Sequence, residues 1–183
     1  MAKVYDAIDD RLAAWIRRQP VFFTATAPSG DDGHVNLSPK GLDTLAVVGP
    51  TTVAYLDLTG SGVETIAHLR QNGRICVMLC AFEGPPRILR LQGRGEVVEP
   101  GHPDFAGLVE RFPPYEGIRS VIRVHCDRIA DSCGFGVPLL RYEGDRDKLL
   151  DWAAKKGPQG LVAYRAKNNA RSIDGLPGLS TGT

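Results

Sequence analysis

The sequence predicts a mainly β protein, built as an antiparallel β-barrel with helices at its periphery. About six strand-like segments follow one another, mostly in hairpin order, and turns rich in Gly, Pro, Asn and Asp join them. Helical segments are inserted between these strands. Strands and helices do not alternate regularly, which disfavours a doubly wound parallel sheet.

The first half of the chain contains a helix, a hairpin, a further strand and a second helix. Apolar residues at helical spacing predict an N-terminal helix over 3–18, which Pro20 ends. Asn72 and Gly73 stop the second helix, because both residue types are favoured at helix C-termini. The elements after the first helix are strands over 21–27, 34–38 and 51–56 and a helix over 63–71.

The second half continues with long strands and ends in helices. Strands are predicted over 74–82 and 87–98, and Gly93 and Gly95 indicate a bulge or bend in the second. Alternation with a period of two is clearest over 120–130. The remaining elements are a short helix over 103–111, helices over about 145–168 broken at Gly157-Pro158, and a flexible Gly-rich tail over 169–183.

Length and composition indicate one globular domain over residues 1–183, with its core in about 20–130. The formal net charge of +1 gives no electrostatic reason to expect nucleic acid as a partner. No apolar run approaches the length of about 20 residues that a membrane span needs. The N-terminus lacks the pattern of a signal peptide, so we expect a cytoplasmic protein.

The cysteines favour the same compartment and do not predict a metal site. Cys76 and Cys80 lie in an apolar strand, on one face but too far apart for a disulfide. Cys126 and Cys133 are solitary, and paired ligands at zinc-like spacing are absent. We interpret the cysteines as small hydrophobic residues and expect no bound metal.

The segment 55–69 is the strongest indication of a ligand. An apolar strand leads into a turn of Thr, Gly and Ser that opens onto a helix, a local structure typical of phosphate sites. Thr59, Ser61 and Thr65 add hydroxyl groups beside the free N–H groups of the first helical turn. The alternative is a capping box between Ser61 and Glu64, which needs no ligand.

A second candidate segment is Ser38-Pro39-Lys40-Gly41 at the end of a strand. A hydroxyl and an ammonium group there suit a phosphate or a ring carbonyl, although a plain turn with a solvated lysine explains the same residues. His68 is expected to be exposed on its helix. No Ser/His/Asp or Cys/His grouping can be identified, so no catalytic residue is assigned.

The ordered set of these motifs resembles the pyridoxamine 5'-phosphate oxidase-like, FMN-binding split-barrel superfamily. The motifs occur in order over residues 20–130, and no single one is as specific as a P-loop. They are the segments 36–41, 53–57, 59–65, 72–74 and 87–93.

The resemblance implies a split β-barrel that forms a homodimer, with two FMN sites at the subunit interface and a small-molecule substrate. By analogy, Arg87 reaches the site of the neighbouring subunit. The residues implied at the ring and ribityl chain are Ser38, Pro39, Lys40, Tyr55, Leu56 and Asp57. The residues implied at the phosphate are Ser61, Gly62, Glu64 and Thr65.

The chain departs from the true pyridoxamine 5'-phosphate oxidases in two places. They carry an Arg-Lys pair where this helix begins, whereas Glu64 and Thr65 stand here, and a basic C-terminal segment is replaced by the Gly-rich tail. We therefore expect an FMN-dependent oxidoreductase with another substrate. The alternatives are a non-catalytic flavin-binding or storage protein, and a split barrel that holds the deazaflavin F420 or haem.

Overall fold

A computed structural model describes residues 3–180 and confirms a mainly β, antiparallel fold. Eight strands form one curled sheet in the order β3-β2-β6-β7-β8-β5-β4, with β1 added on β8. The strands are β1 (Val4–Tyr5), β2 (Phe22–Thr26), β3 (Asn36–Lys40), β4 (Leu45–Gly49), β5 (Thr52–Leu58), β6 (Arg74–Cys80), β7 (Ile88–Val98) and β8 (Ile118–Ser132). The helices are α1 (Asp10–Arg17), α2 (Glu64–Asn72), α3 (Phe105–Val109) and α4 (Lys148–Asn168).

Strand β8 organises the sheet because it pairs along both of its edges. One edge pairs with β7, while the other pairs first with β5 and then with β1. The register of β7 against β8 shifts at Gly93, which confirms the predicted bulge. A side chain at Gly93 would overlap the backbone carbonyl of His125, so the close approach of these strands requires glycine.

The two faces of the sheet build separate apolar clusters. The inner cluster contains Tyr55, packs against α2 through Ile66 and is closed by α1 through Leu12 and Ile16. The outer cluster contains Leu56 and lies under α3. Because neighbouring strand residues point to opposite faces, β5 contributes to both clusters and carries polar residues to the sheet end near α2.

The N-terminal segment differs from the predicted helix over 3–18. Val4 and Tyr5 form a strand that pairs with Ala130 and Ile129, and the helix begins only at Asp10. Asp9 sets this start, since its carboxylate accepts a hydrogen bond from the backbone N–H of Leu12 at 2.7 Å. Strand β4 is a further element that the sequence pattern did not predict.

The C-terminal region forms a kinked helix followed by a packed segment. Helix α4 kinks at Gly157, where φ is 63°, as the break at Gly157-Pro158 predicted. In place of the expected flexible tail over 169–183, residues 169–180 form a strap over the barrel, and residues 181–183 lie outside the described part. Asn169 and Ser172 are buried, and Leu179 packs on the inner cluster. Among the helices described, none has both the length and the apolar character that crossing a bilayer requires.

Gly73 ends α2 in the left-handed region, with φ at 70°. We expect Gly73→Ala to lower the free energy of unfolding by about 1 kcal/mol, because a Cβ disfavours this conformation. Gly107→Ala in α3 is the matched control, since a Cβ there meets nothing within 4 Å and φ is not positive. Urea unfolding measures both; equal effects of the two variants would contradict the role of Gly73.

Candidate functional site

A cleft of about 250 Å³ lies between the end of β3, the start of α2 and the polar end of β5. Its wall combines hydroxyl and amide groups with two cationic side chains, and leucines supply the apolar surface. The lining residues are Asn36, Ser38, Pro39, Lys40, Gly41, Leu42, Thr44, Leu56, Leu58, Gly60, Gly62, Glu64, Thr65, Arg119 and Leu149.

The turn after β3 shapes one side of this cleft and is held in an unfavourable backbone conformation. Leu42 and Asp43 have φ values of 63° and 51°, in the left-handed region that costs a non-glycine residue about 1 kcal/mol or more. Two side chains hold the turn. The Tyr115 hydroxyl donates to the Leu42 carbonyl, and the Thr44 hydroxyl donates to the Gly41 carbonyl at 2.6 Å.

Beside the cleft, a buried carboxylate is surrounded by cations. Asp57 is 1% exposed and accepts hydrogen bonds from Arg119 Nε at 2.7 Å and Nη2 at 3.2 Å. Lys40 Nζ lies 3.7 Å from the same carboxylate. Burial alone raises the pKa of Asp57, yet the charges of Arg119 and Lys40 and the hydrogen bonds from Arg119 and Ser120 hold that pKa below its ordinary value.

A third cation, Arg165 of α4, stands behind this pair. Its Nε donates to the Thr59 hydroxyl at 2.8 Å and its Nη2 donates to the Ile118 carbonyl at 3.1 Å. Burial and the charge of Arg119 lower the pKa of Arg165. Three cations therefore lie close to the single carboxylate of Asp57, and this positive balance favours an anion even when the nearby Glu64 is counted.

The first turn of α2 does not present an open anion site. Its N-cap residue, Val63, makes no side-chain cap, so the predicted capping box between Ser61 and Glu64 is not formed. The Glu64 carboxylate instead lies over Gly62, where a side chain would overlap it, and accepts a hydrogen bond from the Ile173 N–H at 3.4 Å. Because this carboxylate already compensates the helix N-terminus, Lys40 and Arg119 are the groups available to an anion.

A chain of polar side chains runs from the barrel interior to the cleft. Asn36 Nδ2 donates to the hydroxyls of Thr26 at 3.1 Å and Thr65 at 2.9 Å, and its Oδ1 accepts from the Ser38 hydroxyl at 3.0 Å. Thr26 in turn contacts His68 Nδ1 at 3.0 Å. The expectation of an exposed His68 is wrong: it is fully buried, because the face of α2 that carries it packs on β2.

The strap ties the cleft to the C-terminus of the described chain. Asn169 Nδ2 donates to the carbonyls of Gly60 at 3.0 Å and Ser61 at 3.4 Å. Farther along the strap, the Asp174 carboxylate accepts a hydrogen bond from His34 Nδ1 at 2.6 Å. Hydrogen bonding from His34 lowers the pKa of Asp174.

The structure gathers most of the residues proposed from the sequence, but not all of them. Tyr55 lies in the inner core, with its ring edge-on to Phe22 at a centroid distance of 5.5 Å. Asp57 is buried behind the wall, and Ser61 is exposed outside it. The proposed residues that line the cleft are Ser38, Pro39, Lys40, Leu56, Gly62, Glu64 and Thr65.

Arg87 lies apart from these residues, in a wider cleft of about 1240 Å³. Its Nε donates to the Asp131 carboxylate at 3.2 Å and its Nη2 to the Tyr5 hydroxyl at 2.7 Å. The guanidinium also stacks on Trp15, with 4.8 Å between Cζ and the ring centroid. Within one chain, Arg87 is therefore a structural link between β1, α1 and β8.

Some residues of the cleft were not proposed from the sequence. Arg119 and Thr44 come from segments that carry no local motif, and Leu149 arrives from the C-terminal helix. A signal existed for Arg119, since a lone buried carboxylate such as Asp57 needs a cation on a neighbouring strand. Within residues 3–180, no group of three His, Cys, Asp or Glu side chains is arranged to hold a metal ion.

Comparison with known proteins identifies the family. Residues 8–133 match the sequence model of the family described as pyridoxamine 5'-phosphate oxidase. The pyridoxamine 5'-phosphate oxidase family protein ustO of Aspergillus flavus is 42% identical over 194 residues, which cover 96% of this chain and 77% of that protein.

Solved structures show the same fold at low identity. HupZ of Group A Streptococcus is 21% identical, with a TM-score of 0.51 over 67% of this chain and 91% of that chain. A histidine-to-alanine variant of HupZ is 20% identical, with a TM-score of 0.53 over 68% of this chain and 99% of that chain. The resemblance identified from the sequence is thus confirmed: this split-barrel chain belongs to the pyridoxamine 5'-phosphate oxidase family.

Proposed function

We propose that the cleft of about 250 Å³ binds the flavin FMN and that the protein is a flavin-dependent oxidoreductase. The observation that carries this proposal is the set of chemical groups that line the wall. Lys40 and Arg119 suit a phosphate, the hydroxyls of Ser38 and Thr65 suit a polyol or ring edge, and leucines suit an aromatic surface. Membership of the family supports the same ligand class.

We further propose that a second copy of the chain completes the site. Ligand pockets for molecules of this size are about 300–1,000 Å³ and bury most of the ligand, so a cleft of about 250 Å³ is too small by itself. Strand β3, which carries Ser38 and Lys40, is at an edge of the sheet, and Leu37 of this strand and Val35 just before it are exposed. A homodimer that covers this edge, in the reducing cytoplasm, fits these features and the free thiols.

In this site the flavin, when bound, supplies the redox chemistry. The protein's own residues bind and orient it. Lys40 and Arg119 neutralise the phosphate, while Asp57 holds the Arg119 guanidinium in a fixed position. Leu56 and Leu58 exclude water from the apolar part of the cleft.

A non-catalytic flavin carrier is the second candidate, and the composition of the cleft favours it. The titratable side chains that line the cleft within the described residues are Lys40, Glu64 and Arg119, and each is already placed against another charge or a backbone group. Among these lining residues, none is an acid or base that is free for proton transfer. The deazaflavin F420 suits the same phosphate-binding cations and remains an alternative cofactor.

The experiment that tests this proposal measures ligand binding first and catalytic activity second. Purified protein is mixed with FMN, riboflavin or F420, and affinity is measured by fluorescence titration together with the melting temperature. A ligand that binds the native state at 100 times its Kd stabilises it by about 2.7 kcal/mol, so FMN must raise the melting temperature. If none of these ligands stabilises the chain, the proposal is wrong. If FMN binds, an assay for oxidation of a reduced nicotinamide by the flavin-loaded protein separates an enzyme from a carrier.

Lys40→Ala is expected to weaken FMN binding about ten-fold, because it removes one charged contact to the phosphate. Riboflavin, which lacks the phosphate, should bind the variant almost as it binds the natural chain. Lys155→Ala, an exposed lysine of α4, is the control and should leave both affinities unchanged. An FMN affinity that Lys40→Ala does not change would contradict the placement of the phosphate.

A further inference from the structure

The segment 134–156, which we name the arm, joins the end of β8 to the kink in α4 and is weakly attached to the rest of the protein. Residues 134–147 form neither helix nor strand, and residues 141–149 are all exposed. Among the described residues, one hydrogen bond ties the arm to a residue outside α4, from the Leu140 N–H to the Phe82 carbonyl at 3.0 Å. Exposed backbone and few buried contacts are typical of a segment that opens locally.

Glycines stand at both ends of the arm. Gly134, with φ at 66°, lies against the backbone of Arg87, because a Cβ there would come within 2.7 Å of the Arg87 nitrogen. Gly157 has φ at 63° and ψ at 172°, a combination that is essentially confined to glycine, and a Cβ there would meet nothing within 4 Å. Hinges are positions at the ends of elements that absorb changes in φ and ψ. Gly134 is therefore the packed end of the arm, and Gly157 is the end that is free to turn.

The two parts of α4 that meet at Gly157 are anchored unequally. After the kink, Leu161 is buried and Arg165 donates two hydrogen bonds to the barrel. Before the kink, the helix starts at Lys148 without a side-chain cap, and Ala153 is its buried residue. A helix shorter than about 12 residues is marginal in water by itself. We therefore expect the part before the kink to lose its helical structure when it leaves the barrel.

One contact seats the arm on the barrel beside the cleft. Ala153 is 3% exposed and packs on Gly117, where a Cβ would lie 3.2 Å from that of Ala153. This contact brings Leu149, one turn earlier on the same face of the helix, to the wall of the cleft of about 250 Å³. Leu140 and Tyr142 of the same arm line the wider cleft. The arm thus lies between the two clefts and covers part of each.

We propose that the arm is a lid on the narrower cleft and that the structure shows its closed position. Release of Ala153 from Gly117 and rotation at Gly157 withdraw Leu149 from the wall, and the cleft then opens for ligand entry and release. The arm lies outside residues 8–133, which match the family model, so this lid is not a part of the barrel that the model describes. The identity of the ligand rests on the proposed function, whereas the opening of the arm does not.

The first test needs no ligand. Hydrogen exchange of the whole chain compares amides 152–156, before the kink, with amides 162–168 after it, because the first four N–H groups of a helix lack helical partners. We expect the amides before the kink to exchange at least about ten-fold faster, since they need only the lid to open. Equal exchange rates of the two groups would show that α4 moves as one unit and would overturn the inference.

The second test holds the lid open. Ala153→Glu places a long charged side chain against Gly117, where no room exists. Ala154→Glu is the matched control, because Ala154 is the exposed neighbour on the same helix. We expect FMN and riboflavin to dissociate from Ala153→Glu about ten-fold faster than from the natural chain, because Leu149 no longer covers them. Both rates should stay unchanged in Ala154→Glu, and stopped-flow displacement followed by flavin fluorescence measures them.

A second variant keeps the seat of the arm in place. Leu149→Ala removes the covering side chain and leaves the contact of Ala153, so it should also raise both dissociation rates. Rates that neither Ala153→Glu nor Leu149→Ala changes would overturn the inference. A natural chain that binds neither FMN nor riboflavin overturns the proposed function instead, and hydrogen exchange then decides by itself whether the arm opens.

Discussion

Arg119→Met is expected to lower the free energy of unfolding at pH 7 by about 3–5 kcal/mol, the cost of leaving one member of a buried ion pair without its partner. Asp57 and Arg119 are 1% and 5% exposed, so the carboxylate would be left largely desolvated without its guanidinium partner. Lys40 stays at 3.7 Å, beyond hydrogen-bond distance, and Ser120 supplies one hydroxyl contact at 3.2 Å. Neither group compensates for a bidentate partner.

The effect of this variant depends on pH in a defined direction. In the natural chain the folded pKa of Asp57 lies below the unfolded value, so its contribution is present at neutral pH and is lost as pH falls through the folded pKa. Without Arg119, burial dominates and raises the folded pKa above the unfolded value of about 4. The free energy of unfolding of the variant then falls as pH rises. Its difference from that of the natural chain should be largest at pH 7 and shrink toward pH 4.

Urea unfolding of both chains at pH 4, 5 and 7, at one protein concentration, measures this difference in the free energy of unfolding. Arg128→Met provides the control on the same strand, because Arg128 is exposed and makes one hydrogen bond to Gln92. Its effect should stay within about 0.5 kcal/mol, as for surface substitutions generally. An Arg119→Met deficit that is constant over this pH range would show that lost packing, not the charge of Asp57, causes it.

The ion pair of Asp57 and Arg119 also shows why the sequence predicted the strands but not the whole site. Strand patterns and turn residues are local, and they located β2, β3, β5, β6, β7 and β8 correctly. Asp57 and Arg119 are 62 residues apart and meet only through the register of β5 against β8. A register is set by packing of whole strands and leaves no mark in a short window of sequence.

The geometry of a β-strand explains why Tyr55 and Leu56 lie on different sides of the sheet. The resemblance implied that Tyr55, Leu56 and Asp57 all line the flavin, but consecutive strand residues point to opposite faces. Leu56 and Leu58 therefore line the cleft, whereas Tyr55 fills the barrel interior. Ser38 and Lys40, two positions apart on β3, lie on the same face by this rule, although Pro39 between them also borders the cleft at the strand end.

Glu64 marks the other limit of prediction from sequence. True pyridoxamine 5'-phosphate oxidases carry cations where α2 begins, and this chain has an acidic residue there. The cations that line the cleft come from β3 and β8, as Lys40 and Arg119, and under the proposed function they bind the phosphate. A change of charge at one position can thus be offset from distant strands, provided that the fold brings them to the same cleft.

Asn169→Leu is the second substitution with a large expected effect, because this buried amide joins the strap to the cleft. Its Nδ2 donates to the carbonyls of Gly60 and Ser61, in the loop that lines the cleft through Gly60 and Gly62. A leucine of similar size removes both hydrogen bonds and leaves the half-buried Gly60 carbonyl with only the longer contact to Arg119. We expect the free energy of unfolding to fall by about 1–3 kcal/mol.

The neighbouring Asn168 provides the matched control for this prediction. Among residues 3–180 its amide donates only to the Tyr164 carbonyl within α4, at 2.9 Å, so Asn168→Leu makes the same chemical change without touching the cleft. We expect it to cost less than about 1 kcal/mol and to leave FMN affinity unchanged, whereas Asn169→Leu should weaken FMN binding because the loop that holds Gly60 and Gly62 is released. Equal stabilities of the two variants would contradict the anchoring role of Asn169. If Asn169→Leu is destabilised but binds FMN normally, the strap holds the fold together and the cleft keeps its shape through Arg119, which also donates to the Gly60 carbonyl at 3.4 Å.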